Sequence, residues 1–269
     1  MKRISTILAG AALLFAMVSC DKVNGPYKKD VVVEGNRVVL LEDYTGVRCV
    51  NCPEGAEIAH ELEEAFPDNL VVLSVHAGFL ADPMSPVTGY PDFRTEAGTA
   101  WYSTFGFSTN PIGTVNRTKT AGSYGYQKEG WATAVAAEIA KEQTASVEIE
   151  NSYNEASRKL DVTVKAKFLE EQTGVTYVFA CVMEDSVVGR QLMPEGANDN
   201  YVHRHMMRAA INGTWGEELC SGAEEDEEFE KKMSITLDDA FNADQCYVIA
   251  YIYDDATKEI IQAAEKKIK

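Results

Sequence analysis

Two short apolar runs, Val38-Val39-Leu40-Leu41 and Leu70-Val71-Val72-Leu73-Ser74-Val75, flank a Cys49-Val50-Asn51-Cys52 pair and a helical stretch. Continuous apolar runs of this length are the pattern of strands buried on both faces. Between them Ala56, Ala59, Leu62, Ala65 and Phe66 recur at helical spacing over residues 54–66, and Pro67 stops the helix. Strand, helix and strand with joints this short predict a parallel β-α-β unit. The two cysteines then fall where the first strand hands over to the helix.

That placement has chemical consequences. Backbone N–H groups and the dipole at a helix start favour a thiolate on the first cysteine. The second lies one turn on and can resolve a mixed disulfide. Pro53 is tolerated because first-turn N–H groups have no helical partner. Arg48, beside Cys49, is expected to favour the thiolate further. The competing reading is a structural bridge. A C-x-x-C loop is so small that closing it constrains the unfolded chain little, so stability alone is a poor reason to have one.

Residues 79–104 form a long connection rich in Gly, Pro and aromatics, with a helix expected over 93–105. A short strand is expected over 112–116 and a helix over 127–142, where Trp131, Val135 and Ile139 share a side. From Thr144 the pattern changes. Alternation over 147–150, 160–168 and 233–237, with apolar runs at 175–183 and 247–253, reads as short strands separated by turns. The expected fold is α/β over residues 37–143 followed by an all-β sandwich, immunoglobulin-like, over 144–269.

The first residues predict export. Lys2 and Arg3 precede an apolar run too short for a comfortable membrane span, and Ser19-Cys20 follows. Residues 1–19 read as a signal peptide, Cys20 as a lipidated first residue, and 20–36 as a tether with a short strand expected at 31–33. The chain carries 25 Lys and Arg against 42 Asp and Glu. Losing Lys2 and Arg3 leaves 23 against 42, a net charge of −19. Such a surface repels nucleic acid and anionic headgroups, so the membrane partner is the acyl anchor alone. An oxidising compartment lets disulfides persist. Of the remaining thiols, Cys220 and Cys246 are expected to pair and Cys181, mid-strand, to stay reduced. A Cys181–Cys246 bridge between sheets is the alternative.

Glu42-Asp43-Tyr44-Thr45-Gly46-Val47-Arg48-Cys49 resembles the thioredoxin superfamily, in which a buried strand, an acidic residue, an aromatic and a short loop precede C-x-x-C. The resemblance implies that Asp43 is a buried carboxylate relaying protons to the resolving Cys52. It also implies that Pro111, in Phe105-Gly106-Phe107-Ser108-Thr109-Asn110-Pro111, is cis and faces the pair. The chain departs from that pattern: Arg48 stands where a Trp is usual and Val50-Asn51 where Gly-Pro or Pro-Pro is. A strand to pair with 112–116 is hard to find over 118–126. The whole mature chain is similar to the Omp-28-related outer membrane lipoproteins of Bacteroides-type bacteria. The carrying segments are Glu42 to Gly46 with the C-V-N-C-P run, His203 to Gly216, and the hairpin Tyr253 to Glu259. That resemblance implies an outer-membrane location and this architecture, and it names no reaction.

Other features carry less. His76 ends the second apolar strand and reads as a hydrogen-bonded core histidine. His203 and His205 would point the same way on a strand. No usual ligand stands beside them, and Arg204 and Arg208 do, so a packed loop motif is expected there and no metal. Glu195 to Asn200 matches no EF-hand spacing. The acidic run 224–228 reads as a solvated loop. Asp185-Ser186-Val187 is a weak O-glycosylation pattern. No nucleotide, Rossmann or metalloprotease motif occurs, and no cofactor is expected. Two functions follow. One is a membrane-tethered thiol–disulfide oxidoreductase acting on an exported protein or peptide. The other is a non-catalytic binding or envelope-assembly module in which the Cys pair is structural.

Overall fold

The computed structural model describes residues 37–84 and 91–269. The expected signal peptide, Cys20, the tether and its short strand lie outside the described residues. The first half contains β1 (Val39–Thr45), α1 (Cys52–Ala65), β2 (Leu70–His76), α2 (Glu96–Thr104), β3 (Ile112–Val115) and α3 (Trp131–Ile139). Next come β4 (Ala145–Asn154), β5 (Lys159–Phe168), β6 (Gln172–Glu184), β7 (Val187–Met193) and β8 (Gly196–His203). The chain closes with β9 (Met206–Ala210), β10 (Glu217–Ala223), β11 (Glu228–Thr236), β12 (Cys246–Asp254) and β13 (Ile260–Lys267).

Every residue of β1 and β2 is buried, as continuous apolar strands require, and the two pair in parallel with Val39 opposite Leu70. β3 runs antiparallel to β1 on its other side, with Asp43 opposite Gly113. The strand sought after β3 is reduced to one bridge, Gly113 to Tyr126. Trp131 explains Gly113: a Cβ there would lie 2.5 Å from the indole nitrogen.

The boundary expected at residues 143/144 does not divide the sheet. β13, β12, β6, β9, β2, β1 and β3 lie side by side in one eight-stranded sheet, with β10 also paired to β6. Five of the later strands extend the first-half sheet and layer against β11–β5–β4, so the second half is two-layered but continuous with the first rather than a separate unit. The physical reason is that β6 and β12 are apolar on both faces and need cover on each. On one face Val178, Ala180, Val182, Val248 and Ile252 pack against the three-stranded sheet β11–β5–β4. On the other, Phe179, Tyr251 and Tyr253 meet Tyr44, Trp101 and Phe105 from the first half. Helices α1 and α3 cover the remaining face of β1 and β2, where Leu62, Trp131 and Val135 contact Leu41 and Val72. A fully buried side chain of this size contributes about 1.5–3 kcal/mol. The result is a mixed α/β architecture dominated by strands.

The seam between the halves is narrow: Ser74 pairs with Met206, and the Ser74 N–H donates to the His205 carbonyl at 2.7 Å. A buried ion pair reinforces it. The Arg117 guanidinium donates to both oxygens of Glu42 on β1, at 3.0 and 2.6 Å, and to the Tyr251 hydroxyl on β12 at 2.7 Å. Its cation also lies 4.7 Å from the Trp101 ring.

Candidate functional site

β1 delivers its C-terminal end to the loop that carries the cysteines. Gly46 is required there, because a Cβ would sit 2.5 Å from the Leu80 carbonyl. The Arg48 N–H donates to that carbonyl at 2.8 Å, and the Cys49 N–H to the Gly46 carbonyl at 3.0 Å. Cys49 precedes α1 and Cys52 opens it, with Pro53 in the first turn. The two are joined by a disulfide with a Cα–Cα distance of 5.3 Å. Arg48 is exposed and turns away: its guanidinium donates to the Asp82 carbonyl at 2.7 Å and to the Pro83 carbonyl. It pins the loop to the connection after β2.

A feature with no sequence signal covers this loop. The β7–β8 hairpin crosses it, and the Gln191 amide donates to the carbonyls of Cys49 at 2.9 Å and Gly46 at 3.3 Å. The Leu192 N–H donates to the Val47 carbonyl at 2.8 Å. Both cysteines are consequently buried, with 3% and 2% of their surface exposed.

Beneath the pair, Asp43 faces inward from β1. It is fully buried, and neither carboxylate oxygen has a hydrogen-bond partner. Loss of hydration raises its pKa to about 7. Asp43, Cys52, His76, Tyr201 and His203 line one small pocket. The His76 ring packs 5.3 Å from the rings of His203 and Phe93, and its nitrogens have no hydrogen-bond partner, unlike the bonded core histidine expected. Burial lowers the pKa of His76 and brings that of His203 down to about 4, so both are neutral at pH 7.

The Asn110–Pro111 bond is cis. Asn110 holds the turn by donating its amide to the carbonyls of Thr45 at 3.0 Å and Ala77 at 3.2 Å, the ends of β1 and β2. Pro111 lies against the first turns of α1, where a Cβ on Gly55 would meet its ring at 3.2 Å. Sequence and structure thus bring Cys49, Cys52, Asp43 and Pro111 to one end of the sheet. Gln191, His203 and Tyr201 arrive from the second half.

The expected Cys220–Cys246 bridge is absent. Cys181, Cys220 and Cys246 are all free and buried. Cys220 lies opposite Thr176 and Cys246 opposite Glu184, eight residues apart along β6. That spacing is roughly 26 Å, and a disulfide needs Cα atoms within about 7 Å. The alternative fails as well, since Cys181 faces Ile249 in the same sheet, about 10 Å from Cys246. Burial raises the pKa of all three thiols, that of Cys246 to about 12. His203 and His205 do not share a partner: His203 joins the pocket, and His205 turns toward α1. In the 195–200 segment Asp199 pairs with Arg190 at 2.9 Å. No helix among the described residues is long and apolar enough to cross a membrane.

Comparison with solved structures places this architecture. HBP35 of Porphyromonas gingivalis is similar over 87% of this chain and 76% of its own, at 18% identity and a TM-score of 0.69. A protein of Agrobacterium tumefaciens is similar over 87% of this chain and 96% of its own, at 11% identity and a TM-score of 0.50. A domain of the outer membrane lipoprotein Omp28 from Porphyromonas gingivalis aligns with 47% of this chain and 88% of its own, at 24% identity and a TM-score of 0.30. No curated protein matches the chain. The sequence model of the outer membrane protein Omp28 family matches residues 98–269, well over half of the chain. The chain therefore belongs to the Omp28 family of outer membrane proteins.

Proposed function

We propose that this protein is a thiol–disulfide exchange protein of the outer membrane, held by a lipidated Cys20, whose first half is thioredoxin-like. The observation that carries the reading is Asp43: a buried carboxyl without a hydrogen-bond partner, poised to titrate near neutrality in the pocket that Cys52 lines. A strictly structural disulfide has no use for such a group. In the reduced protein the Cys49 thiolate attacks a disulfide of an exported protein or peptide, forms a mixed disulfide and expels one substrate thiolate, which takes up a proton. Asp43 accepts the Cys52 proton. The Cys52 thiolate then attacks the Cys49 sulfur, releasing the second substrate thiol and leaving the 49–52 disulfide. Two electrons pass from the pair to the substrate, and the reverse sequence oxidises a substrate dithiol. Pro111 shapes the groove, and Arg48 holds the loop. A Cys52→Ala variant in the native host tests this: a stable mixed disulfide between Cys49 and an exported protein is expected, and no adduct would count against exchange.

The burial of both cysteines under the Gln191 hairpin favours a second reading, a binding or assembly module with a structural pair. In that case the disulfide resists reduction and the protein shows no turnover of disulfide substrates.

A further inference from the structure

A cluster of ligating side chains outside the Cys pocket joins α1 to the turn before β9. His60 and Glu63 are three residues apart on α1 and so share a face. His205 comes from the other half of the chain. We propose that His60, Glu63 and His205 bind one divalent transition-metal ion, with zinc the best chemical match. The Glu63 Oε2 atom lies 3.5 Å from His60 Nδ1 and 3.4 Å from His205 Nε2, and all three ligand atoms lie within 4.8 Å of one another. Ligands at about 2.0–2.1 Å from a tetrahedral zinc stand about 3.3 Å apart. The two separations to Glu63 match that edge and exceed a good hydrogen bond.

The second observation is His205 itself. It is buried, with 7% of its surface exposed, and neither ring nitrogen has a hydrogen-bond partner. Its backbone has a positive φ of 53°, held by its carbonyl accepting from the Ser74 N–H. A non-glycine residue kept in that conformation, with an imidazole aimed at a carboxylate, fits a ligand better than filler.

The surroundings supply an outer carboxylate and a competitor. His60 Nε2 lies 3.6 Å from Glu64 Oε1 and accepts from the Arg204 guanidinium at 2.8 Å. Metal on Nδ1 places the proton on Nε2. Exposed Arg204 then swings out and Nε2–H donates a hydrogen bond to Glu64, a usual orienting arrangement for a metal-bound histidine. Three protein ligands leave one position for water. Bound metal would clamp the Cys52 helix to the second half. This inference does not depend on the redox reading.

The test is calorimetric titration of the oxidised full chain with zinc chloride. One zinc per chain is expected, with no response to calcium or magnesium, which prefer all-oxygen sites. His60→Ala, on a partly exposed helix face where folding is not at stake, and His205→Ala should each weaken zinc by at least about 100-fold. Glu64→Gln should weaken it about 10–100-fold, the usual outer-shell effect. Arg204→Ala should tighten it. Zinc X-ray absorption should show only nitrogen and oxygen neighbours. Binding that survives both histidine replacements, a sulfur shell around the metal, or no binding would overturn the proposal.

Discussion

The side-chain amide of Gln191 donates to the main-chain carbonyl of Cys49 at 2.9 Å, across 142 residues of chain. The second half of the protein therefore covers the cysteine loop of the first. Replacing Gln191 with Ala removes one of two donors to the Cys49 carbonyl, which keeps the Cys52 N–H at 3.3 Å, and loosens the hairpin over it. The expected cost is roughly 0.5–1.5 kcal/mol of stability, that of a hydrogen bond lost without orphaning its acceptor, with faster reduction of the disulfide by a small thiol. Urea melts and stopped-flow reduction of Gln191→Ala check both; an unchanged reduction rate would mean that the hairpin is not the barrier.

Asp43 sets a pH dependence whose sign follows from its raised pKa of about 7 against an ordinary 3.8. Below about pH 4 the carboxyl is protonated in folded and unfolded chains alike. Between about pH 4 and 7 the folded protein holds a proton that the unfolded chain has lost, so stability falls across that window and levels off above it. The loss reaches roughly 4 kcal/mol at most, at 1.36 kcal/mol per unit. Asp43→Asn should gain on the wild type at pH 8 and show no advantage near pH 4. Melts across that range are the check, and an advantage that does not grow with pH would contradict the assignment.

The Glu42–Arg117 pair has both side chains fully buried. Arg117→Ala leaves Glu42 as an unpaired interior charge, and the expected loss is about 3–5 kcal/mol. A Glu42→Leu, Arg117→Met double variant should recover much of it. Chemical denaturation compares the three, and equal losses in single and double variants would show that packing, not charge, dominates.

Cys181, Cys220 and Cys246 should stay unreactive to an alkylating agent in the native protein and all react once it is unfolded. Non-reducing peptide mapping should return only the Cys49–Cys52 link. A Cys220–Cys246 peptide pair would contradict the β6 register.

The β1–α1–β2 unit was legible because its signals are local. Two apolar runs, the helical spacing of Ala59 and Leu62, and Pro67 all agree with one another. Asp43 and Pro111 were placed differently, by the resemblance of the segments around them to the thioredoxin superfamily and not by local chemistry. The β7–β8 hairpin was not legible. Residues 196–200 are all exposed and read as a polar loop, and its strands pair with each other rather than with the core. Nothing in the neighbourhood of Gln191 reveals that it will reach Cys49. The continuous sheet was not legible for a related reason. A strand's own residues show that both faces of β6 are buried, yet they do not say which strand pairs beside it. His203 and His205 show the limit most simply: alternation predicts one shared face, and the positive φ at His205 sends the two rings apart.

The central claim is that Cys49 and Cys52 exchange electrons with a substrate, and the equilibrium reduction potential of the pair tests it most directly. The full chain is equilibrated in dithiol–disulfide redox buffers, and the oxidised fraction is read by mass after acid quenching and alkylation. The account predicts a potential between about −120 and −270 mV, the range of exchange proteins. A value below about −300 mV would place the bridge among structural disulfides and contradict it.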